Sequence, residues 1–311
     1  MRQLSADDLR RALPYGALVD RLADDFRAGC TVPLRHHHTV EVPGGDAGTL
    51  LLMPAWQAGE HIGIKLATVF PGNGARGLPA VMATYLLLDG TTGAALAMID
   101  GAELTLRRTA CASALAARFL ARADSAHLLV VGTGRLAPHL ARAHASQRPI
   151  TAVTVWGRDP DKAAAVAEDL RADGLDAAPA ADLEAAVAGA DIVTCATLAS
   201  DPLVHGAWLR PGQHLDLVGG FTPAMREADD EAVRRARVYV DTREGACKEA
   251  GDIAVPLANG VLDDDDIQGD LFDLTRGRCD GRGGNAEITL FKSVGTALED
   301  LSAARLAVER A

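Results

Sequence analysis

An α/β fold in two parts, a doubly wound parallel sheet preceded by a second α+β domain, is what this sequence predicts, and three observations predict it. From residue 126 onward short Val-rich runs alternate with helical stretches across glycine turns: "AHLLVVGTG", "RLAPHLARAHAS", "ITAVTVWGR", "DKAAAVAEDLRA", "ADIVTCATL" and "QHLDLVGG". Buried strands alternating with helices imply a parallel sheet with right-handed crossovers. Residues 31–100 have another texture, in which "GTLLLMPAW", "HIGIKLATVF" and "AVMATYLLLD" are apolar runs separated by Gly and Pro, as strands are. Finally, 311 residues are more than one core usually organises.

Taken in order, "SADDLRRALPYGALVDRLADDFRAG" predicts helix on both sides of Pro14, capped by Ser5 with acidic residues in the first turn. "DGTTG" at 89–93 is a hairpin turn between two strands. "ELTLRRTACASALAARFLARAD" reads as a helix over 103–124, with Thr105 as its N-cap and Arg108 in its first turn. The tail "ITLFKSVGTALEDLSAARLAVER" is expected to form one final amphipathic helix. The acidic run at 263–266 is expected to be solvated. These elements place a first domain over 1–121 and a dinucleotide-type domain over 122–289.

Composition removes several function classes. A net charge of −11 argues against nucleic acid or an anionic membrane as the main partner, though not against a small anion in a local basic pocket. Cys30, Cys111, Cys195, Cys247 and Cys279 are five in number and scattered, which suits reduced thiols in a cytoplasm. The charged N-terminal stretch shows no secretory leader, and no apolar run reaches the roughly 20 residues of a membrane span.

The strongest local motif is "LLVVGTGRLAPHLARA", which sets Gly132-x-Gly134-x-x-Ala137 between a strand and a helix. Gly132 permits the tight turn, Gly134 lets backbone approach a pyrophosphate, and Ala137 lets the helix pack closely on the strand. The helix start then offers N–H groups to phosphate. The next strand ends at Gly157-Arg158-Asp159. A carboxylate there would bind the ribose hydroxyls of NAD, whereas a guanidinium suits the 2′-phosphate of NADP. Because Arg158 comes first, NADP(H) is expected, with NAD(H) as the alternative.

Three cations in the first third can receive an anion: Arg35 in "VPLRHHH", Lys65 in "GIKLATVFPGN" and Arg108 in "LTLRRTACASALA". Lys65 sits among apolar neighbours, where a cation needs a negative partner. Together they suggest a carboxylate clamp. The run His36-His37-His38 lacks a nearby Cys or carboxylate to complete a ligand set, so no metal is expected. Ser113 and Ser293 lack the G-x-S-x-G setting of a hydrolase nucleophile.

At these residues the chain resembles the ornithine cyclodeaminase/mu-crystallin family. The resemblance rests on "LLMPAW", "GIKLATVFPGN", "LPAVMATYLLLDGTTGAALAMIDGAELTLRRTACASALA", the glycine turn, "GGFTPAMREAD", "EAGDI" and "ITLFKSVGTALEDL". It implies a homodimer whose substrate and dimerisation domain, 1–121, is completed by 290–311. It assigns the substrate carboxylate to Lys65 and Arg108, which would also carry the catalytic role, with Arg35 as a looser match. It extends the cofactor shell of Gly132, Gly134 and Arg158 to Thr109, Thr133, Arg135, Leu136, Thr197, Gly219, Phe221, Lys292 and Gly295. Ornithine cyclodeaminases carry an Asp after the paired glycines, where this chain has Phe221 in Gly-Phe-Thr-Pro-Ala-Met-Arg-Glu. Cyclodeamination needs a positioned acid/base for several proton transfers, and a phenyl ring cannot supply one. The resemblance therefore implies reduction of a cyclic ketimine carboxylate, Δ1-pyrroline-2-carboxylate or its six-membered homologue, to L-proline or L-pipecolate. The alternatives are ornithine cyclodeamination and a non-catalytic, mu-crystallin-like binding role.

Overall fold

The computed structural model describes residues 1–311. The chain begins with β1 (Arg2–Leu4), α1 (Ala6–Ala12) and α2 (Tyr15–Ala28). Ser5 and Asp8 cap α1 reciprocally, and Pro14 separates the two helices. There follow β2 (His36–Val40), β3 (Gly48–Gln57), β4 (His61–Val69), β5 (Val81–Asp89), β6 (Ala95–Asp100) and α3 (Gly101–Leu120). The alternating stretch folds as β7 (His127–Val131), α4 (Ala137–Ala145), β8 (Ala152–Trp156), α5 (Pro160–Ala172), β9 (Ala177–Pro179), α6 (Leu183–Gly189), β10 (Ile192–Cys195) and β11 (His214–Leu217). Then come α7 (Asp230–Arg235), β12 (Ala236–Val240), α8 (Arg243–Glu249), α9 (Gly251–Ala258), β13 (Ile267–Asp270), α10 (Leu271–Arg276), β14 (Ile288–Lys292) and α11 (Ala297–Arg310). No helix is long and apolar enough to cross a membrane.

Internal contacts divide the chain into Met1–Arg108 with Thr296–Ala311, and Thr109–Gly295. The expected lines at 121/122 and 289/290 differ because the second half of α3 packs into the later core, where Ala117 and Ala121 join Leu128, Val130 and Val153. The first unit holds a six-stranded sheet in the order β1-β6-β5-β4-β3-β2, antiparallel except for β1 beside β6. Helix α11 packs on β3, β4, β5 and α2. Period-2 alternation sorts the side chains. Lys65, paired with Tyr85 and through it with Ile99, is buried toward α11. Ile64, Leu86 and Met98 form the neighbouring row on the opposite face, where Leu66, Met82 and Met98 stay exposed.

The second unit holds an eight-stranded, wholly parallel sheet in the order β13-β12-β14-β11-β10-β7-β8-β9. Both faces are covered. Leu129 and Val131 enter one apolar cluster, and Leu128 and Val130 enter the other. The strand order reverses between β7 and β10, and such a reversal opens a crevice at the carboxyl ends of the strands. This is the doubly wound, Rossmann-type sheet expected from the sequence.

Two local expectations are corrected. Asp100, not Thr105, caps α3, accepting the Glu103 N–H at 2.8 Å. Thr105 is inside the helix, its hydroxyl donating to the Gly101 carbonyl at 2.7 Å. Arg108 therefore lies about two turns in, beyond the dipole's reach. The tail is not one helix either, since "ITLFK" is β14, hydrogen-bonded between β11 and β12.

Candidate active site

At the reversal point a cleft of about 570 Å³ opens in the second unit. Gly132, Thr133 and Gly134 line it after β7, Trp156 to Asp159 and Lys162 after β8, and residues 196–201 with Leu203 after β10. Gly132 has φ 127°, and a Cβ there would lie 2.6 Å from the Ala196 carbonyl oxygen, so only glycine fits the turn. A Cβ on Gly134, by contrast, would meet nothing within 4 Å, which leaves room for a ligand against the backbone. Ala137 is fully buried at the start of α4, as the close helix–strand packing requires.

Past β8, Arg158 is exposed on the cleft wall. Asp159 is the N-cap of α5, its Oδ1 accepting the N–H groups of Asp161 at 3.1 Å and Lys162 at 3.3 Å. Its Oδ2 lies 3.6 Å from the Lys162 ammonium. The carboxylate that could have favoured a ribose diol is thus engaged with its own helix. Thr197 and Gly219, at the ends of neighbouring strands, are held by one acid that the sequence reading did not single out. Glu227 accepts the Thr197 N–H at 2.7 Å, its hydroxyl at 2.9 Å and the Gly219 N–H at 2.8 Å. Burial pushes the Glu227 carboxyl up, and Lys292 opposes that shift. Gly219 has no room for a side chain, since a Cβ would sit 2.0 Å from the Thr197 carbonyl oxygen.

Of the other expected cofactor residues, Arg135 and Leu136 follow the glycine turn directly, and Thr109 is partly buried in α3. Lys292 lies behind the cleft with its ammonium 4.0 Å from Glu227, and Gly295 follows β14. Lys292 is fully buried with its ammonium 2.9 Å from Asp252, and the Gly295 N–H donates to Asp241 at 2.6 Å. Both are engaged inside the unit rather than on the cleft wall. Phe221, in the loop just past Gly219-Gly220 that follows β11, is 51% exposed.

The first unit brings together two of the three cations expected to form a clamp. Lys65 on β4 and Arg108 on α3 meet at Asp300, in the first turn of α11. The Lys65 ammonium is 2.7 Å from Asp300 Oδ2, and the Arg108 Nε is 2.9 Å from Oδ1. Arg108 Nη1 is 2.6 Å from Glu299 Oε2. All four side chains are buried. Burial pushes the Lys65 ammonium down to about 8, with Asp300 resisting. Although its own burial pushes the other way, Arg108 and Lys65 hold Asp300 below the usual carboxylate range. Arg35 lies partly buried just before β2, outside these ion pairs. His36 and His38 share one side of β2, with ring centroids 6.3 Å apart. Glu299 and Asp300 were missed because adjacent acids in an Ala/Leu-rich helix read as a solvated face. The available signal was two buried cations in need of counter-charge.

Residues 6–311 match the model of a family described as the ornithine cyclodeaminase/mu-crystallin family. A Delta(1)-pyrroline-2-carboxylate reductase of Paracoccus denitrificans is 42% identical over 295 residues, 93% of this chain and 93% of that one. The Thermococcus litoralis Delta(1)-pyrroline-2-carboxylate reductase, solved with NADH and L-proline, superposes with a TM-score of 0.92 at 35% identity, covering 100% of this chain and 97% of the other. An archaeal alanine dehydrogenase dimer with bound NAD gives a TM-score of 0.90 at 27% identity, over 100% of this chain and 95% of the other.

Proposed function

Because the chain belongs to the ornithine cyclodeaminase/mu-crystallin family, we propose that it reduces a cyclic ketimine carboxylate to the corresponding L-amino acid with a nicotinamide cofactor. One observation carries the choice of reaction: the loop after β11 presents an exposed Phe221, where a cyclodeaminase needs an acid/base. When bound, the cofactor supplies a hydride. A protonated cyclic imine accepts it at carbon and needs no further proton on nitrogen during that transfer. What the protein must add is position and exclusion of water. Gly132, Thr133 and Gly134, backed by Thr197, are suited to a pyrophosphate, and Arg158 to a 2′-phosphate, which favours NADP(H) over NAD(H). Lys65 and Arg108, with Arg35 as a further cation, are assigned to the substrate carboxylate, and Phe221 to an apolar wall beside the ring.

We further propose a cytoplasmic homodimer. Five scattered cysteines suit a reducing compartment, and the apolar outer face of the six-stranded sheet, with Leu66, Met82 and Met98 exposed, suits a second copy. The test of function measures NADPH and NADH oxidation with pyrroline- and piperideine-2-carboxylate, alongside ammonia release from ornithine with NAD⁺. Imine-dependent oxidation without ammonia is expected. Robust formation of proline and ammonia from ornithine would overturn the reductase reading.

A further inference from the structure

We propose that Asp300 is a positioning residue for the substrate carboxylate: its two oxygens fix the spacing of Lys65 and Arg108, each by direct contact, whereas Glu299 contacts Arg108 and bears on Lys65 only from farther away. The inference rests on reading Lys65 and Arg108 as the clamp. Its geometry is a fork. Oδ2 takes the ammonium at 2.7 Å and Oδ1 takes the guanidinium Nε at 2.9 Å, so one rigid carboxylate spans two cations from two different elements. Glu299, one residue earlier on α11, contacts Arg108 Nη1 at 2.6 Å.

The charged and titratable groups around Lys65 are few. Asp300 and Glu299 face it from α11, Arg108 from α3, and Tyr85 is its register partner on β5. The Tyr85 hydroxyl is buried without a hydrogen-bond partner, and Cys30 acts on Tyr85 in turn. Burial and Arg108 both push Lys65 toward the neutral amine, and Asp300 is the strongest opposing influence. A neutral amine would hold a carboxylate far more weakly than an ammonium. Two acids also balance two cations, so the clamp is neutral before an anion arrives, and its donors are preset rather than collapsed onto each other.

The experiment is the pH profile of kcat/KM for pyrroline-2-carboxylate in wild type, Asp300→Asn, Asp300→Glu, Glu299→Gln and Lys65→Arg. The wild type should lose activity above about pH 8, where Lys65 sheds its proton in addition to the loss from deprotonation of the imine itself, and Lys65→Arg should keep only the imine's part. Asp300→Asn should move the limb to lower pH by roughly one to three units, the usual effect of an adjacent opposite charge. Glu299→Gln should move it in the same direction but by less, because Glu299 is the weaker influence on Lys65. If Asp300→Asn does not fold, Asp300→Glu still decides: it should keep the limb, because the charge remains, while raising KM more than it lowers kcat, because the fork is displaced. An unmoved limb in a folded Asp300→Asn variant, or an unchanged KM in Asp300→Glu, overturns the proposal. Lys65→Met and Arg108→Met separate this from failure of the underlying reading, since unchanged KM in both would move the clamp itself elsewhere.

Discussion

At Arg158 the choice between phosphate and hydroxyl recognition turns on which of two adjacent side chains is already occupied. Asp159 is committed to capping α5, so Arg158 is left to face the cleft. A charge-assisted hydrogen bond contributes ~1.5–3 kcal/mol, roughly 10- to 150-fold in affinity. Arg158→Ala should weaken NADPH by about that factor and leave NADH nearly unchanged, as read by steady-state KM for each cofactor. Equal losses for both would remove Arg158 from the 2′-phosphate. Phe221 makes a second residue-scale case. Phe221→Leu should keep much of the imine reduction, since volume and apolarity are roughly retained, whereas Phe221→Asp should depress it by placing an uncompensated carboxylate beside an anionic substrate. These residues stand out in the sequence because their signals are local: a glycine spacing, or an odd residue after paired glycines. Asp300 does not, because it acts on Arg108 from 192 positions away in sequence and only folding brings the two together.

Elements were legible where periodicity and punctuation agreed, as at the Ser5 cap, the Pro14 break and the β5–β6 hairpin, where Asp89 accepts the N–H groups of Thr91 and Thr92. They failed where a strand depends on distant partners. "ITLFK" is a short apolar run, which periodicity alone cannot assign. It becomes β14 because β11 and β12 flank it. The neighbouring β11 carries an element-scale consequence. Asp216 accepts the Ser113 hydroxyl at 2.9 Å and lies 3.3 Å from His144 Nε2, while His214 Nδ1 pairs with Thr289 at 3.0 Å. Burial pushes His214 down from 6.5 to about 3, so it is neutral in the fold and takes up a proton on unfolding. The stability this gives is complete above the unfolded value of 6.5 and is lost as pH falls toward 3. Each pH unit inside that window costs about 1.4 kcal/mol. Asp216, held low, acts only below its ordinary value of 3.8, while Glu227, Asp241 and Asp270, which burial raises, act in the opposite sense, so the histidine's part is read from a comparison with a variant that lacks it. Partly buried His61 shifts in the same direction as His214. His214 should therefore lower the melting temperature between pH 6.5 and 4, so that the wild type loses more over this range than His214→Asn does. Identical slopes in the two proteins would show that His214 does not carry this dependence.

For the whole molecule the open question is what covers the outer face of the six-stranded sheet. Its inner face is occupied by α11, whose Leu301 approaches Gly63 so closely that a Cβ there would lie 3.1 Å away. The outer row of Ile64, Leu86 and Met98 has no such helix, and Leu66 and Met82 are 39% and 42% exposed. Its strands run from three to ten residues, and at about 4.8 Å between strands and about 3.3 Å per residue they present roughly 650 Å² of surface. That is comparable to the ~800 Å² each partner buries in a stable complex. A two-fold interface repeats every contact, so one substitution acts twice. Leu66→Asp would place two carboxylates in the apolar patch, each desolvated without a partner and each repelling the other. The expected result is dissociation to single chains in light scattering, with circular dichroism unchanged because the residue points away from the unit's own core. A dimer that survives Leu66→Asp at micromolar concentration would exclude this face as the interface. A wild-type protein that is monomeric from the outset would exclude the homodimer itself, leaving the exposed apolar row without an occupant.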